Sequence, residues 1–342
     1  MPLLHRLKIW QKLALLVAVL GLPIGLLTYL LMAEKNLAID FAYQEIRGTQ
    51  YLQPVRTLLQ HIAEHRGLSS TYLDGDASFR EKITAKQDQL VADLTAMDAV
   101  DAQLGNTLQS NDSWPTIKTD WKNLKMAVFN LTAKDSFARH TALIGKLLDL
   151  TLYISITSNL VLDPEPETYY LMDIAINRIP ILTERLGQLR AMAAGIIARH
   201  QFMENDHINL SKGLGQIEMM RTNLQGSLEA VFQANEMLKP VLGTQQAAFA
   251  TSTDVFLSAV EQLARSDQVG PTLSPSAIFG AGTQAITAGF SLYDAAIPVL
   301  QDLLQNRIHT LNKKELITLA GVLAAVLLAL LFAYGIGRLL VQ

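Results

Sequence analysis

The chain of 342 residues contains no cysteine, few aromatic residues (7%) and few charged residues (17%). The lack of cysteine excludes disulfide scaffolds, thiol catalysis and thiolate metal sites. A formal net charge of −3 argues against a nucleic-acid-binding protein. Soluble domains typically carry about 25% charged residues, whereas half of this chain is apolar. The composition therefore excludes intrinsic disorder and indicates that some segment is unusually lipophilic.

Two long uncharged runs, one near each end of the chain, account for this lipophilic character. Residues 13–33 and 316–337 each have the roughly 20 residues that a helix needs to cross a bilayer. Buried core helices, or a signal peptide for the first run, are the alternatives. Arg6, Lys8 and Lys12 precede the first run, which puts this tail in the cytoplasm. We predict a cytoplasmic tail (1–12), a first transmembrane helix (13–33), a periplasmic domain (34–315), a second transmembrane helix (316–337) and the start of a cytoplasmic connector (338–342).

The segment between the two runs has the punctuation of helices and no alternating strand pattern. Glycines, prolines and N-cap residues divide it into seven or eight predicted helices. The predicted helices end or begin near Leu73, Ser78, Leu104, Ser113, Asp135 or Ser136, Leu162, Asp163, Met203, 205–206, 240–243 and 270–275. Pro54 is expected to bend or loosen the first of them. The predicted fold is all-α, with one or two elongated up-and-down helical bundles between two transmembrane helices.

Arg66 is the first candidate for a functional residue. It follows Ile62 by about one helical turn, so it lies on the apolar face of the first helix. Ser69 and Ser70 make the helix beside it small and polar. A guanidinium in a core needs an internal carboxylate or a bound anion as its partner. The alternative is that Arg66 reaches solvent or pairs with Glu64.

The fifth predicted helix repeats this arrangement. Arg190 follows Leu186 by four residues on the apolar face, and Gly187 and Gly195 keep the helix thin around it. If the two helices touch, Arg66 and Arg190 converge on one small anion. The planar guanidinium matches trigonal oxygens, as in nitrate, nitrite or a carboxylate. Arg178, at the edge of the same face, competes for the role of second ligand.

The residues His61, Glu64 and His65 spell H-x-x-E-H, the pattern of an inverted zinc-protease motif. A third acidic ligand is required, and the sequence singles out none, so we interpret these residues as the rim around Arg66. We predict no enzyme activity, no metal and no cofactor. The other histidines are predicted to lie on the surface: His140, His200, His207 and His309.

Two stretches resemble a known family. QHIAEHRGLSSTYLDGD (60–76) resembles the first-helix motif of the nitrate- and nitrite-sensing domain family. LDPEPETYYLMDIAINRIPILTERLGQLRAMAAG (162–195) is similar to a segment of sensory modules in bacterial chemoreceptors and hybrid histidine kinases. The two motifs cover about 50 residues of the chain. The related helical bimodular sensors, which bind organic acids, are the alternative family.

The resemblance implies an all-helical periplasmic sensor that binds a small anion between its first and its fourth-to-fifth helices. Arg66 matches the first-helix ligand and Arg190 the second, and His65 stands where the family usually has glutamate. A transmembrane receptor of this kind is a homodimer, and Ala320, Gly321, Ala324 and Ala325 offer a packing face.

Such receptors continue into a HAMP linker and a methyl-accepting chemotaxis, kinase or cyclase domain, and residues 335–338 are similar to the start of that linker. We therefore expect the sensory part of an inner-membrane receptor that acts on a cytoplasmic signalling kinase through its own output domain or a partner's. The alternative is a ligand-free structural or protein-interaction domain of the cell envelope.

Overall fold

The computed structural model describes residues 8–266, 268–269 and 274–339. These residues form α-helices joined by short turns and contain no strand, so the all-α prediction is confirmed for them. The helices are α1 (Ile9–Leu73), α2 (Phe79–Leu108), α3 (Ser113–Ala127), α4 (Ala133–Thr157), α5 (Pro166–Met172), α6 (Ile179–Arg199), α7 (Asp206–Ala234), α8 (Lys239–Ala264) and α9 (Pro275–Leu339). A π-helical turn, Asp173–Arg178, joins α5 to α6. Single 3-10 turns lie at Val128–Asn130, Leu160–Leu162 and Glu236–Leu238.

Local sequence explains several of the helix starts. The hydroxyl of Thr132 accepts a hydrogen bond from the backbone N–H of Asp135 at 3.0 Å and caps α4. Pro166 and Glu167 open α5, where a missing N–H costs nothing and an acid faces the positive end of the helix dipole. The predicted starts near Ser78 and Ser113 are confirmed, as is the end of the first helix at Leu73.

Two predicted interruptions differ from the structure, and one division of a helix was not predicted. Helix α1 runs through Pro54 to Leu73 as a single helix, as expected, whereas α2 continues past Gly105 to Leu108. Gly105 serves packing, because a Cβ there would lie 2.8 Å from Oδ1 of Asp101. Pro240 belongs to the first turn of α8, so the interruption lies before it. The predicted fifth helix is divided by the π-helical turn, which precedes Pro180, a residue with no N–H to complete a regular α-helical turn. Residues 270–273 of the last predicted break lie outside the described residues.

Residues 44–303 form one compact unit. Helix α6 lies deep within it and is buried on most of its circumference, from Ile179 to Ile197. Helices α6 and α8 both pack against α7, and α3 packs against α4. Helix α1 approaches the turn after α4 so closely that a Cβ at Gly48 would lie 2.2 Å from Oγ of Ser158. The backbone therefore requires glycine at this crossing.

Residues 1–43 and 304–342 form a second unit. Within it, α1 and α9 contain two segments that are long and apolar enough to cross a membrane, and none of the residues in their most apolar windows is buried. Leu22 is 75% exposed and Phe332 is 72% exposed. Nζ of Lys35 donates a hydrogen bond to Oγ1 of Thr318 at 3.0 Å. Most of the predicted tail, including Arg6, and most of the predicted connector lie outside the described residues.

Candidate anion site

Arg66 lies in the core, at 2% exposure, and is bound by a carboxylate that the sequence analysis did not identify. Nη1 and Nη2 donate to the two carboxylate oxygens of Glu184 on α6, at 2.7 and 2.9 Å. Nη1 also donates to Oγ1 of Thr141 on α4 at 2.8 Å. This two-pronged contact is the strong form of an arginine–carboxylate pair. The alternatives that Arg66 reaches solvent or pairs with Glu64 are wrong, since Glu64 pairs with Lys86 at 2.6 Å.

Arg190 is also in the core, at 5% exposure, but its charge is not matched in the same way. Nη1 donates to Oγ1 of Thr283 on α9 at 2.7 Å, whereas the buried Nε has no hydrogen-bond partner within residues 8–266, 268–269 and 274–339. Among the described residues, no carboxylate lies within ion-pair distance of this guanidinium. Burial, with the nearby charge of Arg66, lowers the pKa of Arg190 to about 10. The arginine is therefore a buried cation without a direct counter-charge.

The two arginines lie close together because each one approaches a glycine of the other's helix. A Cβ at Gly187 would lie 3.0 Å from Nη2 of Arg66, and a Cβ at Gly67 would lie 3.5 Å from Nη2 of Arg190. A third glycine, Gly282 on α9, makes room for the aliphatic part of the Arg190 side chain, because a Cβ at Gly282 would lie 2.7 Å from Cγ of Arg190. The structure thus brings the side chains of Arg66 and Arg190 close together, which the sequence analysis could only assume.

Phenylalanine rings complete the surroundings of both cations. The guanidinium carbon of Arg66 lies 4.8 Å from the ring centre of Phe137 on α4. The corresponding distance from Arg190 to Phe279 on α9 is 4.3 Å. A ring face attracts a cation by its quadrupole and excludes water from one side, but it supplies no counter-charge. Four helices, α1, α4, α6 and α9, therefore build the site. The charges that act on Arg190 are the cation of Arg66 and the carboxylates of Glu64 and Glu184, and Glu64 is itself paired with Lys86.

His65, the residue before Arg66, belongs to a chain of hydrogen bonds that runs from Gln87 through His65 and His140 to Ser136. Nδ1 of His140 lies 2.7 Å from the carbonyl oxygen of Ser136, which can only accept, so this nitrogen carries a proton. Nε2 of His140 then accepts from Nδ1 of His65 at 2.7 Å. The amide of Gln87 donates to the remaining nitrogen, Nε2 of His65, at 3.2 Å. Each ring is thus neutral and has partners for both of its nitrogens.

Burial is also the main reason that both histidines stay neutral. It lowers the pKa of His65 to about 3 and that of His140 to about 4. The prediction that His140 lies on the surface is wrong, because its side chain is fully buried between α1 and the body of α4. His207 is half-buried, stacked on Phe202, whereas His200 and His309 are exposed.

The other sequence candidates lie in different surroundings. Ser69 is buried with its hydroxyl 3.5 Å from Nδ1 of His65, and the buried hydroxyl of Ser70 makes no hydrogen bond in the described part of the chain. Arg178 does not join the site, because its Nε pairs with Asp173 in the π-helical turn. His61 donates to Asp93 at 2.6 Å, so His61 and His65 have separate partners rather than a shared one.

Sequence patterning missed the residues that complete the site. Glu184 lies two residues from both Leu182 and Leu186, which puts it away from the apolar stripe of an isolated helix. It is buried because other helices cover α6 on more than one side. Thr141 and Thr283 carry no signal of their own, since a lone threonine in a helix commonly bonds to its own backbone.

Comparison with known proteins gives one fold relationship. No model of a known protein family matches the chain, and none of the curated proteins matches it. Among solved structures, that of the NasR transcription antiterminator matches with a TM-score of 0.63 and 16% sequence identity. The match covers 92% of this chain and 82% of that chain. At this identity the likeness concerns the fold alone.

Proposed function

We propose that the chain is the sensory module of a bacterial inner-membrane receptor that binds a small anion between Arg66 and Arg190. Nitrate, nitrite and small carboxylates are the ligands whose trigonal oxygens suit a guanidinium. Binding shifts α1 against α9, and both helices carry the shift to a cytoplasmic output domain that controls a chemotaxis or kinase pathway. The resemblance of residues 60–76 and 162–195 to such sensors motivates the ligand class.

The observation that carries this proposal is the unmatched charge of Arg190. Moving a cation out of water costs several kcal/mol unless a counter-charge and hydrogen bonds replace the water. Glu64, whose charge also acts on Arg190, is balanced by its partner Lys86, so the buried groups Arg66, Arg190 and Glu184 sum to one positive charge. A monoanion beside Arg190 brings that sum to zero and can accept from the free Nε. Thr283, which accepts a hydrogen bond from Arg190, also lines an open groove of about 380 Å³ between α8 and α9.

Membrane anchorage is supported by the apolar segments of α1 and α9. Side chains such as Leu22 and Phe332 are mostly exposed in the protein itself, and lipid is the environment in which this exposure is favourable. Lys8 and Lys12 before the first segment support a cytoplasmic N-terminus and a periplasmic position for residues 34–315. Homodimerisation through the second transmembrane helix belongs to the same proposal.

A ligand-free structural or interaction domain of the cell envelope is the second candidate. The observation that favours it is the paired state of Arg66, whose bidentate carboxylate is the internal partner that a purely structural arginine requires. The two candidates differ at Arg190, because a structural domain gains nothing from a buried cation that lacks a counter-charge.

The two functions are distinguished by thermal unfolding of the full chain in detergent with nitrate, nitrite, formate or acetate, against chloride at equal ionic strength. A ligand that binds only the native state stabilises it by RT ln(1 + [L]/Kd), about 2.7 kcal/mol at a hundredfold excess over Kd. We expect the midpoint to rise with at least one anion and the rise to be lost in Arg190→Met.

Arg178→Met is the matched control, because it removes another arginine of the same helical run that is already paired with Asp173. This variant is expected to keep the anion-dependent rise. A midpoint that no anion shifts, or a rise that survives Arg190→Met, would refute the proposed site and favour the structural domain.

A further inference from the structure

Glu184 binds the guanidinium of Arg66 with both carboxylate oxygens, as a bound carboxylate or nitrate ligand would. Its two carboxylate oxygens lie 2.7 and 2.9 Å from Nη1 and Nη2, so they cover one edge of the guanidinium. The Nη2 side faces Gly187, where even a Cβ would lie at 3.0 Å. An external carboxylate or nitrate that used this edge would place its oxygens where those of Glu184 now lie.

We propose that Glu184 is a tethered competitor, which occupies Arg66 in the empty protein and is displaced when the anion binds. This inference rests on the proposed function, because it describes the regulation of the same site. Glu184 keeps the empty site closed and lowers the apparent affinity by the fraction of molecules in which Arg66 is free. The displacement of Glu184 from Arg66 is also the event that moves α6 relative to α1.

The surroundings of Glu184 suit this exchange. Arg66 keeps its hydrogen bond to Thr141 and its contact with Phe137 when the carboxylate leaves, so the guanidinium stays in position. Oε1 of Glu184 also accepts from the amide of Gln188 at 2.7 Å, and Gln188 is half-exposed at the edge of the site. The displaced carboxylate therefore has a partner on its own helix as well as the unmatched charge of Arg190.

The charges also define which anions bind. With Glu64 balanced by Lys86, the groups Arg66, Arg190 and Glu184 sum to one positive charge. A monoanion therefore makes the buried site neutral, and a dianion leaves one negative charge in excess. Neighbouring His65 and His140 are neutral and do not alter this balance. The inference therefore restricts the ligands to small monoanions such as nitrate, nitrite, formate and acetate, and excludes dicarboxylates.

The test measures, by calorimetry, the binding of nitrate, nitrite, formate, acetate and malonate to the full chain in detergent, for the wild type and two variants. Glu184→Gln removes the charge and retains the size of the side chain. Asp173→Asn is the matched control, because Asp173 is a carboxylate of nearly equal burial (9% exposed against 8%) that is paired with an arginine outside the site. We expect nitrate to bind Glu184→Gln at least about tenfold more tightly than the wild type, as expected when a competitor is removed. Asp173→Asn is expected to leave the affinity unchanged, and malonate is expected to bind only to Glu184→Gln.

Equal or weaker nitrate binding by a folded Glu184→Gln protein would overturn the competitor and leave the anion site standing. Absence of binding by every protein to nitrate, nitrite, formate and acetate would overturn the proposed function itself. If Glu184→Gln folds only in the presence of nitrate, its refolding yield against nitrate concentration replaces calorimetry. Half-maximal recovery below the wild-type Kd then supports the competitor, and recovery at or above that Kd, or no recovery, refutes it.

Discussion

The buried histidine pair makes stability depend on pH in a way that the structure predicts in direction and size. His65 and His140 have folded-state pKa values of about 3 and about 4, below the ordinary value of 6.5. Between these folded values and about pH 6.5, the two histidines are therefore protonated in the unfolded chain and neutral in the folded chain. The resulting stability is complete above about pH 6.5 and is lost as the pH falls towards the folded values.

The size of the effect follows from the width of this pH window. In the pH range where a histidine is protonated only in the unfolded state, it lowers the free energy of unfolding by about 1.4 kcal/mol for each unit that the pH falls. Between about pH 6.5 and about pH 5 each histidine loses about 2 kcal/mol, or about 4 kcal/mol for the pair. This window lies above the range in which most carboxylates titrate, so the loss reports on histidine. The cations nearest the pair, Lys86, Lys125 and Arg66, act in the same direction because they disfavour a further positive charge.

The assay is guanidinium unfolding of the full chain in detergent at about pH 7.5 and about pH 5, followed by tryptophan fluorescence. Trp121, in edge-to-face contact with His65 at 5.0 Å, is a reporter for this part of the core. His140→Gln removes one titrating group and is expected to reduce the pH difference by about 2 kcal/mol. His309→Gln makes the same change at an exposed position and is expected to leave the difference as in the wild type. Equal stability at the two pH values, or a His140→Gln protein with the full wild-type difference, would refute the reasoning.

Two further predictions concern arginine pairing and helix crossing. Arg66→Met leaves a buried carboxylate unpaired and is expected to destabilise the fold by about 3–5 kcal/mol, whereas Arg190→Met removes an unmatched cation and is expected to cost less than about 1 kcal/mol. Denaturant midpoints of both variants measure this contrast, and equal losses would contradict it. Gly48→Ala forces a Cβ to within 2.2 Å of Ser158, with an expected cost of about 1–3 kcal/mol. Gly145→Ala, on α4 with open space around the new methyl group, is expected to stabilise the fold by about 0.5–1 kcal/mol. The same unfolding assay measures both glycine variants, and changes of the same sign in their free energies of unfolding would contradict this prediction.

The sequence by itself determined the helical class, because helix signals are local. Proline, glycine and N-cap residues act within one turn, so the helix starts at Ser78 and Ser113 could be predicted without knowledge of the fold. The two apolar runs were equally evident, since length and composition alone show that they are long and apolar enough to cross a membrane. Local signals misled where tertiary packing set the role of a residue, as with Gly105, which accommodates Asp101 and does not end a helix.

The sequence also identified Arg66 and Arg190, because a charge on an apolar stripe stands out against the helical period. It could not identify the partners, since the choice between Glu64 and Glu184 depends on which helices meet. Arg178 illustrates the same limit: the π-helical turn changes the register of the helix, and Asp173 in that turn takes its charge.

Only the tertiary structure decided that α6 is enclosed on several sides, so that Glu184 is buried despite its place away from the apolar stripe. Contacts between residues far apart in the chain then determined the net charge of the site. Arg66 is paired with the carboxylate of Glu184, whereas Arg190 donates to the neutral hydroxyl of Thr283. Long-range packing set these partners because burial and pairing are properties of several helices together, whereas periodicity is a property of one.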